Sequence, residues 1–210
     1  GDIARQIVAY HKQNGGWMRE DDLAGYRSEI EKPVKTRAMG MELYACGPWC
    51  QGPVLPLMLN ILNGIDLKSM GHNSLDYTHT LAEAIKLAFA DRERYIGDPR
   101  FVNVPVDALL SQAYADNRRA MIRPDRASPD MPPPGEAPGF AHRHGPAPTT
   151  TRAAAGARDT SYVCVADRHG NVFSATPSDS SYDMPVVPGL GICPSSRGSQ
   201  NWADPSHPSS

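Results

Sequence analysis

Apolar positions return at helical spacing as soon as the chain begins. Ile3, Ile7, Val8 and Tyr10 mark one amphipathic face, and Asn14-Gly15-Gly16 stops it. "MREDDLAGYR" predicts a short acidic helix start with Leu23 and Tyr26 on one side. "EKPVKTRAMGMELYACG" predicts two short extended segments around Gly40. "QGPVLPLMLNILNG" predicts an apolar helix from Leu55 to Leu62, closed by Asn63-Gly64. The strongest helix follows in "NSLDYTHTLAEAIKLAFADRERYI". Its expected buried stripe is Leu81, Ile85, Ala88, Phe89 and Ile96, with Glu83, Lys86 and Glu93 outside and Ser74 as N-cap. "GDPRFVNVP" reads as a loop, and Val106 to Ile122 as a further helix.

The pattern then fails. Eight prolines and little apolar mass lie between Arg123 and Arg158. Such a stretch buries too little surface to offset its ordering entropy, so a flexible tail is expected. His142 and His144 within it are expected to be solvated rather than metal ligands. Period-two alternation resumes abruptly in "SYVCVAD" and "NVFSAT", two short strands joined by "DRHGN", where Gly170 can take positive φ. Strand one is expected to be buried. Beyond Ser178 the chain is polar and rich in Gly and Pro. The expected organisation is therefore 1–122, mainly helical; 123–159, flexible; and 160–210, strands and a loop.

Composition narrows the function classes. A net charge of −2 over 210 residues gives no global sign of a nucleic-acid partner. No apolar run has membrane length, and the opening segment reads as a helix rather than a signal peptide. Four cysteines do not make a disulfide scaffold, and "CGPWC" has three residues between Cys46 and Cys50, one too many for the redox spacing. "DRER" (Asp91 to Arg94) reads as a solvated ion-pair face. His72 and His79 are expected to cap or pack, and the rings of Trp17, Trp49 and Trp202 to pack. No metal or organic cofactor is expected.

Thr160 stands where the flexible stretch meets the first strand. A threonine hydroxyl is a poor nucleophile unless a base lies beside it. Cleavage between Asp159 and Thr160 would supply one, because the new α-amine has a pKa near neutrality. The alternative is that Thr160 is only the first β-branched residue of a strand.

Further motifs bear on that choice. "GGWMREDDLAGYR", "GPVLPLMLNILNGIDLKSMGHNSLDYTHTLAEAIKLAFADRERYIGDPRFVNVP" and "DTSYVCVADRHGNVFSATPSD" with "GICPSSRGSQNWADPSHP" resemble the gamma-glutamyltranspeptidase family. The resemblance runs across nearly the whole chain. It implies an α+β fold, the αββα sandwich of N-terminal nucleophile (Ntn) hydrolases, only partly covered here. It also implies a self-processing proenzyme, with residues before Thr160 resembling the end of the large subunit and those after it the start of the small subunit. The remaining segments of both subunits would be its partners, and a periplasmic or secreted location is implied.

Carried over residue by residue, the resemblance makes Thr160 the nucleophile. The family's Thr-Thr-His reads Thr160-Ser161-Tyr162 here. Ser178 stands for a threonine that holds the nucleophile, and Ser180 for an asparagine that contacts the glutamyl group. Across a two-residue gap, Arg197 and Gln200 stand where the family grips the substrate α-amino group. Arginine repels an ammonium and favours a carboxylate. The implied activity is transfer of a γ-glutamyl or similar acyl group to an acceptor amine or to water. One alternative is a glutaryl acylase of the cephalosporin-acylase type. Another is an inactive, unprocessed homologue that binds or scaffolds.

Overall fold

The computed structural model describes residues 1–140, 160–178, 185–195, 197–202 and 204–209, with the backbone alone at 199 and 200. These residues fall into two units. One holds residues 1–29 and the described part of 150–201. The other holds the described part of 30–149 and 202–210.

The second unit is organised by two helices. α3 (Val54–Leu62) and α4 (Leu75–Tyr95) pack Leu57, Ile61 and Leu62 against Ala84, Leu87 and Ala88. Ser74 starts α4 as expected, its hydroxyl accepting the Tyr77 N–H at 3.1 Å. Leu109, Tyr114 and Ala137 complete the core. A hairpin of β1 (Val34–Ala38) and β2 (Met41–Ala45) turns at Met39-Gly40, both with positive φ, as a tight two-residue turn requires. It is tied to α3 by Thr36 Oγ1, which donates to Asn60 Oδ1 at 2.9 Å. Arg119 closes α3 from outside, donating to the Ile61 carbonyl at 2.6 Å and the Asn60 carbonyl at 3.0 Å. A Cβ on Gly64 would meet that guanidinium, which would have to shift to admit it.

The buried face of α4 follows the expected stripe at Leu81, Ala88 and Ile96 and departs from it elsewhere. Ile85 and Phe89 are exposed, whereas Thr80, Glu83, Asp91 and Arg94 are buried with Leu87 and Ala88. Hydrophobic periodicity cannot see partners, and these polar groups have them. Glu83 accepts from Lys86 Nζ at 2.8 Å and from the Ser128 hydroxyl at 2.6 Å. Asp91 Oδ2 accepts Arg118 Nε at 3.0 Å, with both side chains almost wholly buried. Asp91 Oδ1 accepts the Gly135 N–H at 2.7 Å. Asp91 is thus a buried ion pair, not part of a solvated charged face. Burial pushes its carboxyl above the ordinary range, opposed by the Arg118 charge and the Gly135 amide.

The same contacts correct two further expectations. Residues 123–140 do not hang free. Ser128 and Gly135 are bonded to α4, Ala137 is buried, and Phe140 packs against the core. The single helix expected from Val106 to Ile122 is two, α5 (Val106–Leu109) and α6 (Gln112–Arg119), because the Ser111 hydroxyl caps a new start at the Tyr114 N–H. His142 and His144 lie outside the described residues. His79 Nε2 lies 2.7 Å from the Arg123 carbonyl, and Trp202 stacks on His207 at 4.5 Å. Trp17 is exposed instead of packed.

The first unit contains α1 (Asp2–Gln13), α2 (Glu20–Gly25) and a hairpin of β3 (Val163–Ala166) and β4 (Val172–Ala175). The Asp22 carboxylate accepts the Arg19 N–H at 2.8 Å and opens α2. The expected buried strand is instead exposed along its length, including Val163 and Val165. Two strands alone cannot cover both of their faces. Among the described residues, no helix is long and apolar enough to cross a membrane.

Candidate active site

The geometry around Thr160 follows from the turn of the second hairpin. Asp167 Oδ1 accepts the N–H of His169 at 2.8 Å and of Asn171 at 2.9 Å, and Oδ2 accepts Asn171 Nδ2 at 2.8 Å. These bonds, led by the Asn171 side chain, hold the Asp167 carboxyl below the ordinary range. Gly170 takes φ 83°, a conformation open to glycine at no steric cost. The turn fixes the pairing of Val163 with Ala175 and of Ala166 with Val172.

Continuing that register outward puts Ser161 opposite Pro177 and Thr160 opposite Ser178. The Ser161 N–H donates to the Pro177 carbonyl at 3.1 Å, so the pairing persists beyond the strands proper. Pro177 has no N–H to return. The next pair out is one without backbone bonds, where facing side chains come closest. There Thr160 Oγ1 and Ser178 Oγ lie 2.5 Å apart.

A third group arrives from farther along the chain. Val187 and Ile192 close a tight loop, with a 2.8 Å bond from the Val187 N–H to the Ile192 carbonyl and positive φ at Gly189 and Gly191. A 3₁₀ turn, Arg197–Gln200, follows, and the Arg197 N–H bonds Ser195 Oγ at 3.2 Å. From this turn Arg197 Nη2 donates to Ser178 Oγ. The structure therefore brings together Thr160, Ser178 and Arg197. Gln200 shares the 3₁₀ turn, but its side chain lies outside the described residues, as do Asp159 and Ser180. The contact between Arg197 and Ser178 has no local signal in the sequence, because it depends on how the 187–192 loop returns the chain.

Packed helices in one unit and, in the other, an antiparallel hairpin with a threonine at its outer end are features of an α+β protein of the Ntn-hydrolase type. The structure is similar to the solved cephalosporin acylase of Bacillus halodurans, with a TM-score of 0.79 at 31% identity over 100% of this chain and 34% of that one. The profile of the family described as Gamma-glutamyltranspeptidase matches residues 1–209, and the chain belongs to that family. Among curated relatives, the acylase ACY 1 proenzyme of Pseudomonas sp. (strain SE83) is 39% identical over 84% of this chain and 28% of its own length. The glutathione hydrolase proenzyme of Escherichia coli (strain K12) is 38% identical over 61% of this chain and 22% of its own length. The chain thus spans under a third of these curated relatives.

Proposed function

We propose that the protein to which this chain belongs is a self-processing amidohydrolase or acyltransferase that uses Thr160 as an N-terminal nucleophile. The observation that carries this reading is the 2.5 Å approach of Ser178 Oγ to Thr160 Oγ1. Relatives that are proenzymes of an acylase and a glutathione hydrolase support it.

Processing would begin with attack of Thr160 Oγ on the Asp159 carbonyl carbon. The peptide C–N bond breaks, the nitrogen takes up the proton released by Oγ, and an ester remains. Water opens that ester, giving the Asp159 carboxylate and restoring the Thr160 hydroxyl beside its newly freed α-amine. In turnover, the amine accepts the Oγ proton as Oγ attacks the substrate amide carbonyl, then passes the proton to the departing amine. Water or an acceptor amine releases the acyl group from Oγ. The domain division follows: 1–159 ends the large subunit and 160–210 begins the small one.

The test is the intact mass of the protein expressed from its full gene. Cleavage between Asp159 and Thr160 is expected in the wild type and not in Thr160→Ala. A wild type that stays whole, or an alanine variant that splits there, overturns the reading and leaves the binding or scaffolding role.

For the acyl group, a second reading has an observation in its favour. A γ-glutamyl substrate brings a free ammonium, and the Arg197 guanidinium stands against Ser178, one hydroxyl away from Thr160. Repulsion of a unit charge at an effective dielectric of about 20 amounts to a few kcal/mol. Glutaryl-type groups, which lack the amine, are therefore the proposed preference. Comparing kcat/KM for glutaryl and γ-glutamyl anilides decides it, and a strong preference for the γ-glutamyl compound rejects it.

A further inference from the structure

We infer that Arg197 is a positioning residue for the Thr160 hydroxyl, acting through Ser178 whatever acyl group is bound. The inference rests on the proposed role of Thr160. A guanidinium can only donate and stays charged at every working pH. The bond from Arg197 Nη2 to Ser178 Oγ therefore has one direction, with Ser178 as acceptor.

Serine has a single hydroxyl proton. With a cation against its oxygen, that proton is best directed at the other neighbour, Thr160 Oγ1, 2.5 Å away. Thr160 then accepts from Ser178, and its own proton is left unengaged by Ser178 and free for transfer as Oγ1 attacks. As that proton leaves, charge grows on Thr160 Oγ1, where a donor backed by a guanidinium is already aimed. Arg197 is held for the task by its 3₁₀ turn and by the bond from its N–H to Ser195 Oγ. None of these contacts involves a substrate, so the effect extends to self-cleavage, in which no substrate takes part.

The experiment follows processing of the full-length protein in wild type, Arg197→Gln, Arg197→Lys, Ser178→Ala and the double variant Ser178→Ala/Arg197→Gln. Cleavage before Thr160 is expected to slow at least tenfold in Arg197→Gln and to recover substantially in Arg197→Lys. The double variant is expected to be no slower than Ser178→Ala alone, because both changes break one chain of bonds. On processed enzyme with an uncharged substrate, butyryl 4-nitroanilide, kcat is expected to fall while KM stays within about twofold. Arg197→Met runs alongside, and the comparison is read on whichever variant keeps the wild-type melting temperature.

Processing and butyryl turnover at wild-type rates in that variant would overturn the inference and leave Arg197 as a substrate ligand only. That outcome is distinct from failure of the proposed function, in which the wild type itself is not cut before Thr160 and both ideas fall.

Discussion

Thr160 and Ser178 face each other across the outer end of the β3–β4 hairpin, with their hydroxyl oxygens 2.5 Å apart. Ser178→Thr keeps the hydroxyl and adds a methyl, whereas Ser178→Val keeps that branched shape without the hydroxyl. The threonine variant is expected to process within a few-fold of wild type and the valine variant about tenfold or more slowly, a rise of about 1.4 kcal/mol in the barrier. Time courses of the cleaved fragments on denaturing gels check this. Equal rates in the two variants would show that shape, not the hydroxyl, matters at 178.

The buried pair of Asp91 and Arg118 sets a stability prediction. Asp91→Ala strands a guanidinium that is 3% exposed, a loss expected to be about 3–5 kcal/mol. Replacing both partners, as in Asp91→Leu/Arg118→Met, is expected to recover much of that loss, because no charge is left buried alone. Urea denaturation of the two variants and the wild type provides the comparison. A double variant less stable than the single one would mean that the pair contributes more than mutual neutralisation.

Glu83 holds the stretch that follows α6. Burial pushes its carboxyl up, but Lys86 and the hydroxyl and amide of Ser128 more than offset this, leaving it below the ordinary range. Glu83→Ala removes the acceptor for Ser128 and is expected to speed tryptic cleavage after Arg126 several-fold. Cleavage that remains at the wild-type rate would show that Ala137 and Phe140 hold the segment without it.

His207 sets a pH dependence. Burial lowers its pKa, and the neighbouring Glu93 only partly opposes this. Its Nδ1 accepts the Ser209 N–H at 3.0 Å, and its Nε2 lies 3.2 Å from Glu93 Oε2, the arrangement of a neutral ring. The unfolded chain takes up the proton first as pH falls. The contribution of His207 is therefore complete above about pH 6.5 and is lost progressively below it. Thermal unfolding from pH 8 to 5 is expected to show a steeper fall for wild type than for His207→Gln. Parallel curves would contradict the assignment.

How much of this was legible depended on whether a residue's partner lay nearby in the chain. Gly40 and Gly170 mark their turns by local conformation, and Ser74 its helix start by a bond three residues away, so each could be read directly. Thr160 stood out as the boundary of a strand pattern, and the resemblance singled out Ser178. The polar part of the buried face of α4 has no such local mark, because Glu83 and Asp91 are buried by partners 45 and 27 residues on. The anchoring of the segment at 123–140 is hidden for the converse reason. It buries little apolar surface itself, and its fixed points are hydrogen bonds to α4. The contact of Arg197 with Ser178 was out of reach, since charge and spacing do not say where a glycine-rich loop returns.

The hairpin also acts as a ruler. Side chains alternate between the two faces of a strand, so adding or removing one residue in either arm between Ser161 and Pro177 would carry Ser178 out of line with Thr160 and onto the opposite face. The partner of the hydroxyl is thus set by the number of residues in each arm as well as by its identity. The pairing tolerates changed letters outside the Asp167–Asn171 turn, but a changed length only where both arms gain or lose equally.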